Sequence, residues 1–458
     1  MMKHLIFHEG MRRARRAWLT LGLLAGLSLA APAMAAGTTT VPSFACGGFG
    51  PMMIKLQPVP MLSNAEFTNP GADCAMWQTF FYLNWPAKKG VRGVPDTSAQ
   101  FGAPGATVWE TFKTEEQVFL PNGATPSPWS QGVMRSAMPK ALATQAAAGR
   151  LRVLTRTSKV SKRVASLLQA GHGLRNAPVP LDQIEQADGY VLYDQQGNPV
   201  YYDVAMNRAQ FDYIVKNKLY NASSQVAYAA KKNIVLPMGA IEVKAAWKVL
   251  TSTEASSGRF HTAPGYLPST SGAGSTVTVG LVGLHVFAAG GPNSAGMWAT
   301  FYQVDNAPLA GTTAPGTHTF YNPASSTPAN TSGTNPTQVT QVFPDDPQAA
   351  SVNAKAQKIM VEGNPSGPWQ YYAMVDTQWS PTALTLTSPV PATTPLSAGT
   401  VSTATLVNPV LETFMQTQGN SCLGCHSFAT TAQSQSTTAS GFSFMFGNAQ
   451  AAKKKPKR

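Results

Sequence analysis

Charged residues are scarce in this chain. Of its 458 residues, 34 are Lys or Arg and 21 are Asp or Glu, so that only 12% are charged, against about 25% in an ordinary soluble protein. A nucleic-acid-binding protein carries a denser set of basic side chains, and we therefore expect no nucleic acid among its partners. Apolar runs long enough for several membrane spans and collagen or heptad repeats are also lacking, which excludes those classes of protein.

Apolar residues and turn formers are plentiful. Hydrophobic residues make up 43% of the chain and aromatic residues 9%, which is enough for a sizeable core and excludes disorder of the whole chain. The 39 glycines and 35 prolines are about 16% of the residues, above the usual ~12%. This composition favours a loop-rich β or α+β protein over a helical bundle.

The N-terminus has the pattern of an export signal. A basic region with four arginines at 12–16 precedes the apolar residues 18–29, and residues 31–35 end in the small-x-small pattern of a signal-peptidase site. About twelve apolar positions are too few for a membrane span, which needs ~20. We therefore predict a signal peptide at residues 1–35, a periplasmic or secreted location, and no transmembrane span after processing.

The positive charge is concentrated at the two ends of the chain. Loss of residues 1–35 lowers the formal net charge from +13 to +9, and five of the remaining positive charges lie in residues 453–458. The part in between carries only about +4. The basic tail is interpreted first as a solvated end of the chain and second as a docking handle for an acidic partner or an anionic lipid surface.

Two of the four cysteines belong to a motif with a defined chemistry. Cys422, Cys425 and His426 form the Cys-x-x-Cys-His pattern of covalent c-type haem attachment. In that chemistry two thiols add across the two vinyl groups of the porphyrin, and the adjacent imidazole binds the iron. The alternatives are an exported disulfide with an incidental histidine and a zinc site, which lacks a second Cys/His pair nearby. We predict one covalent haem c with His426 as the proximal iron ligand.

The other two cysteines are predicted to pair with each other. A bond between Cys46 and Cys74 closes a loop of 29 residues, for which the chain-entropy relation gives roughly 3.5 kcal/mol of stabilisation. A structural disulfide is the usual state of two such cysteines in an exported protein. A redox-active or free thiol pair is the alternative, although no cationic neighbour lowers the thiol pKa on either side.

The position of the haem motif affects the search for a sixth iron ligand. Only 32 residues follow His426, too few to complete a cytochrome domain, so we expect the haem to pack against structure formed by the preceding residues. Met445 is the nearest thioether, with packing among phenylalanines as its alternative role. His285, inside an apolar strand, is a second candidate for the distal ligand. An open sixth position is a third possibility.

Apolar periodicity predicts an α+β fold in which strands dominate beyond residue 230. Helices are predicted from three-to-four spacing at residues 74–86, 108–119, 158–169, 208–219 and 347–360. Strands are predicted from alternating or continuous apolar runs at residues 190–193, 200–204, 234–238, 240–250, 276–288, 296–304, 370–375 and 384–386. Ser/Thr/Pro/Gly tracts predict long surface loops at residues 252–275, 311–340 and 380–405.

The predicted domain organisation follows from these segments. It consists of the signal peptide at 1–35, a β-rich α+β body with helices at 36–405, a haem c attachment segment at 406–452 that packs on the body, and the basic tail at 453–458.

Several short motifs, taken together, resemble a known family. They are Trp77-Gln78, Leu83-Asn84-Trp85-Pro86, Arg92-Gly93-Val94-Pro95, Val108-Trp109-Glu110-Thr111, Tyr201-Tyr202-Asp203-Val204, Pro237 to Trp247, Leu281 to His285, Trp298 to Phe301, Asp305-Asn306, Cys422 to His426 and Phe442-Ser443-Phe444. The chain is in this respect similar to exported bacterial cytochrome c family proteins over most of its mature length. The resemblance implies export and a covalent haem, but no particular reaction. At Tyr302-Gln303 the chain departs from the Glu-His often present there, so no imidazole is assigned at that point.

A few polar residues stand inside strongly apolar segments. They are Glu110, Glu242, Lys244, His285, Asp305 and Asn306. Either they satisfy turns and sheet edges, with Glu242 and Lys244 forming an ion pair on one strand face, or they line a pocket near the haem. No Ser-His-Asp, phosphate-loop or paired-carboxylate pattern accompanies them.

Two classes of function fit these observations. The first is an exported monohaem c-type cytochrome that transfers electrons to or from a redox partner protein, possibly an acidic one. The second is a haem-linked periplasmic oxidoreductase whose body binds a small substrate. The length of the body favours the oxidoreductase, since a carrier needs little more than ~100 residues, whereas the missing catalytic pattern favours the carrier.

Overall fold

The structure is a computed structural model that describes residues 43–45, 51–53, 68–131, 140–147, 150–155, 157, 190–269, 274–290, 295–313, 316–382, 384–390, 401–432 and 437–452. The described residues belong to one compact unit. The predicted signal peptide, the predicted helix at 158–169, the basic tail and Cys46 lie outside the described residues.

Helices and strands alternate along the chain. The α-helices are α1 (Asn69–Asn84), α2 (Glu115–Val118), α3 (Lys140–Ala147), α4 (Arg208–Lys216), α5 (Ala222–Ala229), α6 (Ser252–Ser256), α7 (Pro347–Gly363) and α8 (Cys422–His426). The strands are β1 (Ser43–Ala45), β2 (Pro51–Met53), β3 (Lys113–Thr114), β4 (Arg152–Val153), β5 (Tyr201–Met206), β6 (Ile241–Val249), β7 (Thr262–Leu267), β8 (Ser275–Ala288), β9 (Met297–Gln303) and β10 (Tyr372–Trp379). None of the helices in the described ranges has the length and apolarity needed to cross a lipid bilayer.

Eight strands form one mixed sheet. Its main path runs in the order β10, β9, β8, β6, β5, β3, and every pair on it is antiparallel. Strand β8 is long enough to pair with β9 through residues 283–288 and with β7 through residues 275–280. Strand β4 adds to β7 in parallel. The α+β class that the sequence predicts is therefore confirmed.

One face of the sheet is covered by α1 and α7. Helix α1 begins at the N-cap Thr68 with Pro70 in its first turn, and every residue from Gly71 to Asn84 is buried. A helix that is apolar all round belongs in a core and not on a surface. The Trp77 indole donates to Asn353 Oδ1 of α7 at 3.0 Å, and the ring of Phe80 lies 4.5 Å from that of Phe301 on β9.

The opposite face is covered by the C-terminal residues. Side chains alternate along a strand, so Lys244, His285 and Thr300, which are neighbours in register, share this face. Asn408 donates to Thr300 Oγ1 at 2.8 Å. A side chain at Gly283 would meet Val410 and Leu411, so the chain after residue 405 lies directly against the strands.

Most of the predicted elements form where the pattern indicates. Helices α1, α4 and α7 and strands β5, β6, β8, β9 and β10 overlap the predicted segments. The hairpin predicted around residues 194–199 closes with a bridge between Tyr193 and Pro199.

Several of the predicted segments are wrong. Residues 108–119 are not one helix, because Phe112 is extended, Lys113–Thr114 pair with β5, and Thr114 caps a new helix. Residues 190–193, 234–238 and 384–386 form no strand, although Leu192, Ile234 and Leu386 are buried. The tract 252–275 contains α6 and β7 and is not a continuous loop.

Candidate haem-attachment site

The Cys-x-x-Cys-His motif forms one short helical turn. Ser421 caps α8 by accepting a hydrogen bond from the backbone N–H of Gly424 at 3.2 Å. The spacing i, i+3, i+4 places Cys422, Cys425 and His426 on one side of this turn, and all three are partly exposed. Leu423 points the other way and is fully buried, and its backbone N–H donates to Gln378 Oε1 of β10 at 2.6 Å. The turn is thus fixed to the sheet while the reactive side chains remain accessible.

The imidazole of His426 is oriented by a backbone carbonyl. Its Nδ1 lies 2.6 Å from the carbonyl oxygen of Phe442, which can only accept, so Nδ1 carries the proton and Nε2 keeps its lone pair. Burial, together with the charge of Lys244, lowers the pKa of His426 to about 3. The ring is therefore neutral near pH 7, the state in which histidine binds a metal.

Two aromatic rings flank this imidazole. The ring centroid of Trp298 on β9 lies 4.4 Å from that of His426, and the centroid of Phe444 lies 4.9 Å from it. Together with the Phe442 carbonyl they fix the tilt of the ring. Such partners around a metal-binding histidine set its orientation and its basicity.

The donor set of this turn fits a c-type haem. Neither Cys422 nor Cys425 is part of a disulfide, and burial, followed by the charge of Glu412, raises the pKa of Cys422 well above its usual value. It is therefore a protonated thiol, the form that adds to a vinyl group. Among the described residues no three His, Cys, Asp or Glu side chains converge on a common metal position. Haem attachment does not require such convergence, because only the imidazole reaches the iron.

A tight loop carries the carbonyl that orients His426. Gly441 and Phe442 both have positive φ angles, of 63° and 67°, and a side chain at Gly441 would lie 2.6 Å from the carbonyl oxygen of Ile234. Ser440 donates to the carbonyl of Ser443 at 2.7 Å across the loop. An aromatic residue in the left-handed region is strained, so other contacts must hold the loop in place.

Glu242 on β6 supplies those contacts. Its Oε1 accepts short hydrogen bonds from the Ser443 hydroxyl and from the Gln210 amide of α4. The carboxyl group is buried, which raises its pKa, although both hydrogen bonds oppose that shift. Lys244 also lowers the pKa of Glu242. The groups that donate hydrogen bonds to Glu242 Oε1 are neutral, and the Glu242–Lys244 ion pair stays a prediction.

Met445 lies in the core beside this network. It is 3% exposed, and its sulfur accepts a weak hydrogen bond from the Gln210 amide at 3.6 Å. It belongs to the same apolar cluster as Phe211, Phe428 and Phe446. These contacts agree with the packing alternative, and iron ligation by Met445 stays a prediction.

His285 lies beside α8 on the same sheet face. Its Nε2 is 2.8 Å from Glu412 Oε1, and the other oxygen of Glu412 accepts from the backbone N–H of Asn408 at 2.9 Å. His285 is near enough to His426 to lower its pKa. Distal ligation by His285 also stays a prediction.

The six polar residues, for which a shared pocket was one of two alternatives, are not brought together. Glu242, Lys244 and His285 share the face that carries α8. Glu110 is buried elsewhere and accepts from His261 at 3.0 Å and from the backbone of Thr107 at 2.7 Å. Asn306 donates to the Val282 carbonyl at 2.7 Å. The structural alternative holds for Glu110 and Asn306.

Asp305 lies at a separate polar cavity of about 490 Å³. It forms an ion pair with Arg259 at 2.5 Å, and the guanidinium lies 4.0 Å from the ring centroid of Tyr371. The cavity is also lined by Glu254 and His318. Gln303 of β9 donates to Asp305 Oδ2 at 3.0 Å. Gln303 stands five residues after Trp298, whose ring contacts His426, and this is ~17 Å along the strand at about 3.3 Å per residue, so the cavity is not adjacent to His426.

Of the second pair of cysteines, only Cys74 lies among the described residues. Cys74 is buried in α1 and is not one of the free cysteines. Because Cys46 lies outside the described residues, the Cys46–Cys74 pairing stays a prediction.

Sequence reasoning missed the residues that surround the motif. Gln378, Trp298 and the Phe442 carbonyl contact α8 or orient its histidine, yet they stand in three separate segments. No local sequence pattern identifies these residues, because each reaches the motif only through the tertiary fold.

Comparison with known proteins adds no relative. No protein-family model, no curated protein and no solved structure matches the chain. The fold and the site by themselves define an α+β protein with a partly exposed Cys-x-x-Cys-His turn held against one face of a mixed sheet.

Proposed function

We propose that this chain is an exported monohaem c-type cytochrome that transfers electrons. Cys422 and Cys425 bind the haem covalently, and His426 is its proximal ligand. The observation that carries the proposal is the geometry of the turn itself: two cysteines that are not joined in a disulfide and a neutral imidazole lie on one partly exposed side, and Nδ1 donates to a carbonyl. A structural disulfide at Cys422 and Cys425 would need neither the orientation nor the neutrality of His426.

The residues around the site have distinct roles in this function. The haem, when bound, supplies a one-electron ferric/ferrous couple. The Phe442 carbonyl accepts the hydrogen bond from Nδ1 of His426. The lone pair of Nε2 therefore points away from this carbonyl, and Nε2 is the atom that would bind the iron. Trp298 and Phe444 exclude water from the imidazole faces, and a lower local polarity shifts the reduction potential.

The covalent attachment is tested on the exported, purified protein. After denaturation and extraction with acidified acetone, the wild type should keep the mass of one haem and stain for in-gel peroxidase activity. The double variant Cys422→Ala, Cys425→Ala should keep none. His426→Ala should lose the normal ferrous spectrum, while the control His318→Ala at the distant cavity should retain it.

Release of haem from the wild-type protein into acidified acetone would overturn the proposal. Equal spectra for His426→Ala and His318→Ala would overturn the assignment of His426 as proximal ligand.

The cavity beside Arg259 favours a second candidate, a haem-linked oxidoreductase. It holds both donors and acceptors, so a small polar substrate could bind there, and an electron would then travel between the cavity and the haem. An absorption spectrum distinguishes the two. A low-spin, six-coordinate spectrum that carbon monoxide does not change supports the carrier, whereas binding of carbon monoxide or peroxide supports the oxidoreductase.

A further inference from the structure

Four exposed lysines form a basic surface on helices α4 and α5. They are Lys216 and Lys218 at the end of α4 and Lys231 and Lys232 just after α5. Residues 208–232 carry a formal charge of +4, which equals the net charge of all residues from 36 to 452. Among the described residues none of these lysines forms an ion pair, whereas Arg208 of the same segment pairs with Asp212 at 3.2 Å.

The two helices hold these lysines close to one another. The hydroxyl groups of Tyr213 on α4 and Tyr228 on α5 are 3.0 Å apart. Lys216 stands one turn after Tyr213 and so lies on the same helix face. The ammonium of Lys232 lies 4.6 Å from the ring centroid of Tyr228. Lys216 and Lys232 therefore lie beside one tyrosine contact, and Lys218 and Lys231 stand within two residues of them along the chain and are exposed as well.

The same two helices are bound directly to the segment that follows the haem motif. Gln225 of α5 donates to the Phe446 carbonyl at 3.0 Å and accepts from the backbone N–H of Ala432 at 3.0 Å. Phe446 is two residues, at most about 7 Å of chain, from Phe444, whose ring contacts His426. The basic surface is thus connected to the candidate haem site by these hydrogen bonds and by a short stretch of chain.

We propose that Lys216, Lys218, Lys231 and Lys232 form the docking surface for an acidic redox protein, an inference that rests on the proposed electron transfer. A localised positive field steers an acidic partner and raises its association rate. Because Val226 is the sole exposed large apolar side chain in the described residues of α4 and α5, these helices lack the apolar face with which an interfacial helix enters a membrane. This favours a protein over a lipid surface.

Charge reversal in the full exported holoprotein tests this surface, with an acidic flavodoxin as the probe. The test variant replaces the four surface lysines by Glu. The matched control replaces Lys88, Lys89, Lys355 and Lys358 by Glu, which changes the net charge equally. At low ionic strength the test variant should lose at least about tenfold in affinity and in second-order electron-transfer rate, and the control less than about threefold. Near 1 M salt, where the Debye length is about 3 Å, the difference should vanish.

The outcomes separate docking from electron transfer. Equal losses in both variants would mean that only net charge matters, and would overturn the surface. Lysine-dependent binding to phosphatidylglycerol vesicles, without binding to flavodoxin, would overturn it in favour of a membrane. Lysine-dependent flavodoxin binding without electron flow would support docking and refute the carrier function. If dithionite reduced the haem and the test variant bound flavodoxin as tightly as the wild type, the proposed electron transfer would stand and the docking surface would be refuted.

Discussion

Glu242 shows how a single buried carboxyl group can control a distant backbone atom. Its Oε1 accepts a hydrogen bond from Ser443. Phe444, which follows Ser443, carries the aromatic ring beside His426, and Phe442, which precedes Ser443, supplies the carbonyl that orients this histidine. Lys244 attracts the carboxylate, but the hydrogen bonds come from a hydroxyl and an amide. The cost of burying the group is therefore offset by a network that also fixes the loop.

Replacement of Ser443 by Ala should weaken this network. The variant removes one hydrogen-bond donor from a buried carboxyl group and should lower the free energy of unfolding by about 1–3 kcal/mol. It should also change the ferrous absorption spectrum, because the Phe442 carbonyl is no longer held. Urea unfolding and absorption spectroscopy measure the two effects.

Two further variants control this prediction. Ser443→Thr keeps the hydroxyl and should restore both stability and spectrum, and Ser366→Ala on the exposed surface should change neither. A stable Ser443→Ala protein with the wild-type spectrum would show that Glu242 does not act through this loop.

At the scale of elements, the long apolar segments could be predicted from the sequence. Strands β6 and β8 and helices α1 and α7 each carry enough apolar residues for their pattern to exceed any local competing signal. Residues 108–119 have a helical pattern too, but β3 pairs with β5, and Arg92 donates to the carbonyl of Phe112 at 3.0 Å. Tertiary hydrogen bonds replaced helical ones there.

Only the part of the candidate site that would bind the haem covalently or ligate its iron could be predicted from the sequence. Cys422, Cys425 and His426 are adjacent in sequence, so their spacing indicates the haem. Trp298 precedes His426 by more than a hundred residues, and the Phe442 carbonyl is a backbone atom that no side-chain pattern reports. Their contacts depend on the sheet register and on a loop with positive φ.

The close approach of two elements at Gly283 yields a test at this scale. A methyl group there would lie 2.9 Å from Val410 and 3.0 Å from Leu411, so Gly283→Ala should displace the segment after residue 405 and destabilise the protein by about 1–3 kcal/mol. Gly363→Ala is the matched control, since nothing lies within 4 Å of its added atom. Thermal unfolding of both variants measures the effect, and equal midpoints would contradict the close packing of this segment on β8.

At the scale of the whole molecule, two carboxyl groups interact with each other in the core between α1 and the sheet. Asp73 of α1 is fully buried, and burial together with Asp376 of β10 raises its pKa to about 8. Burial raises the pKa of Asp376 to about 7, and Asp346 adds to the shift. The joint between α1 and the sheet therefore holds carboxyl groups that are protonated in the folded protein at mildly acidic pH.

The stability of the whole protein should accordingly depend on pH through Asp73. Its pKa is higher in the folded state than in the unfolded state, where it is near 3.8. The stabilisation is therefore complete below about pH 4 and is lost as the pH rises towards 8, by a few kcal/mol in all. Asp73→Asn keeps a neutral group of similar size and should reduce this dependence to the part that Asp376 contributes, while the exposed control Asp212→Asn should leave it unchanged. Urea unfolding of the three proteins at pH 5 and pH 8 measures the difference. If wild type and Asp73→Asn lost the same stability between these two pH values, the buried carboxyl pair would not be the cause.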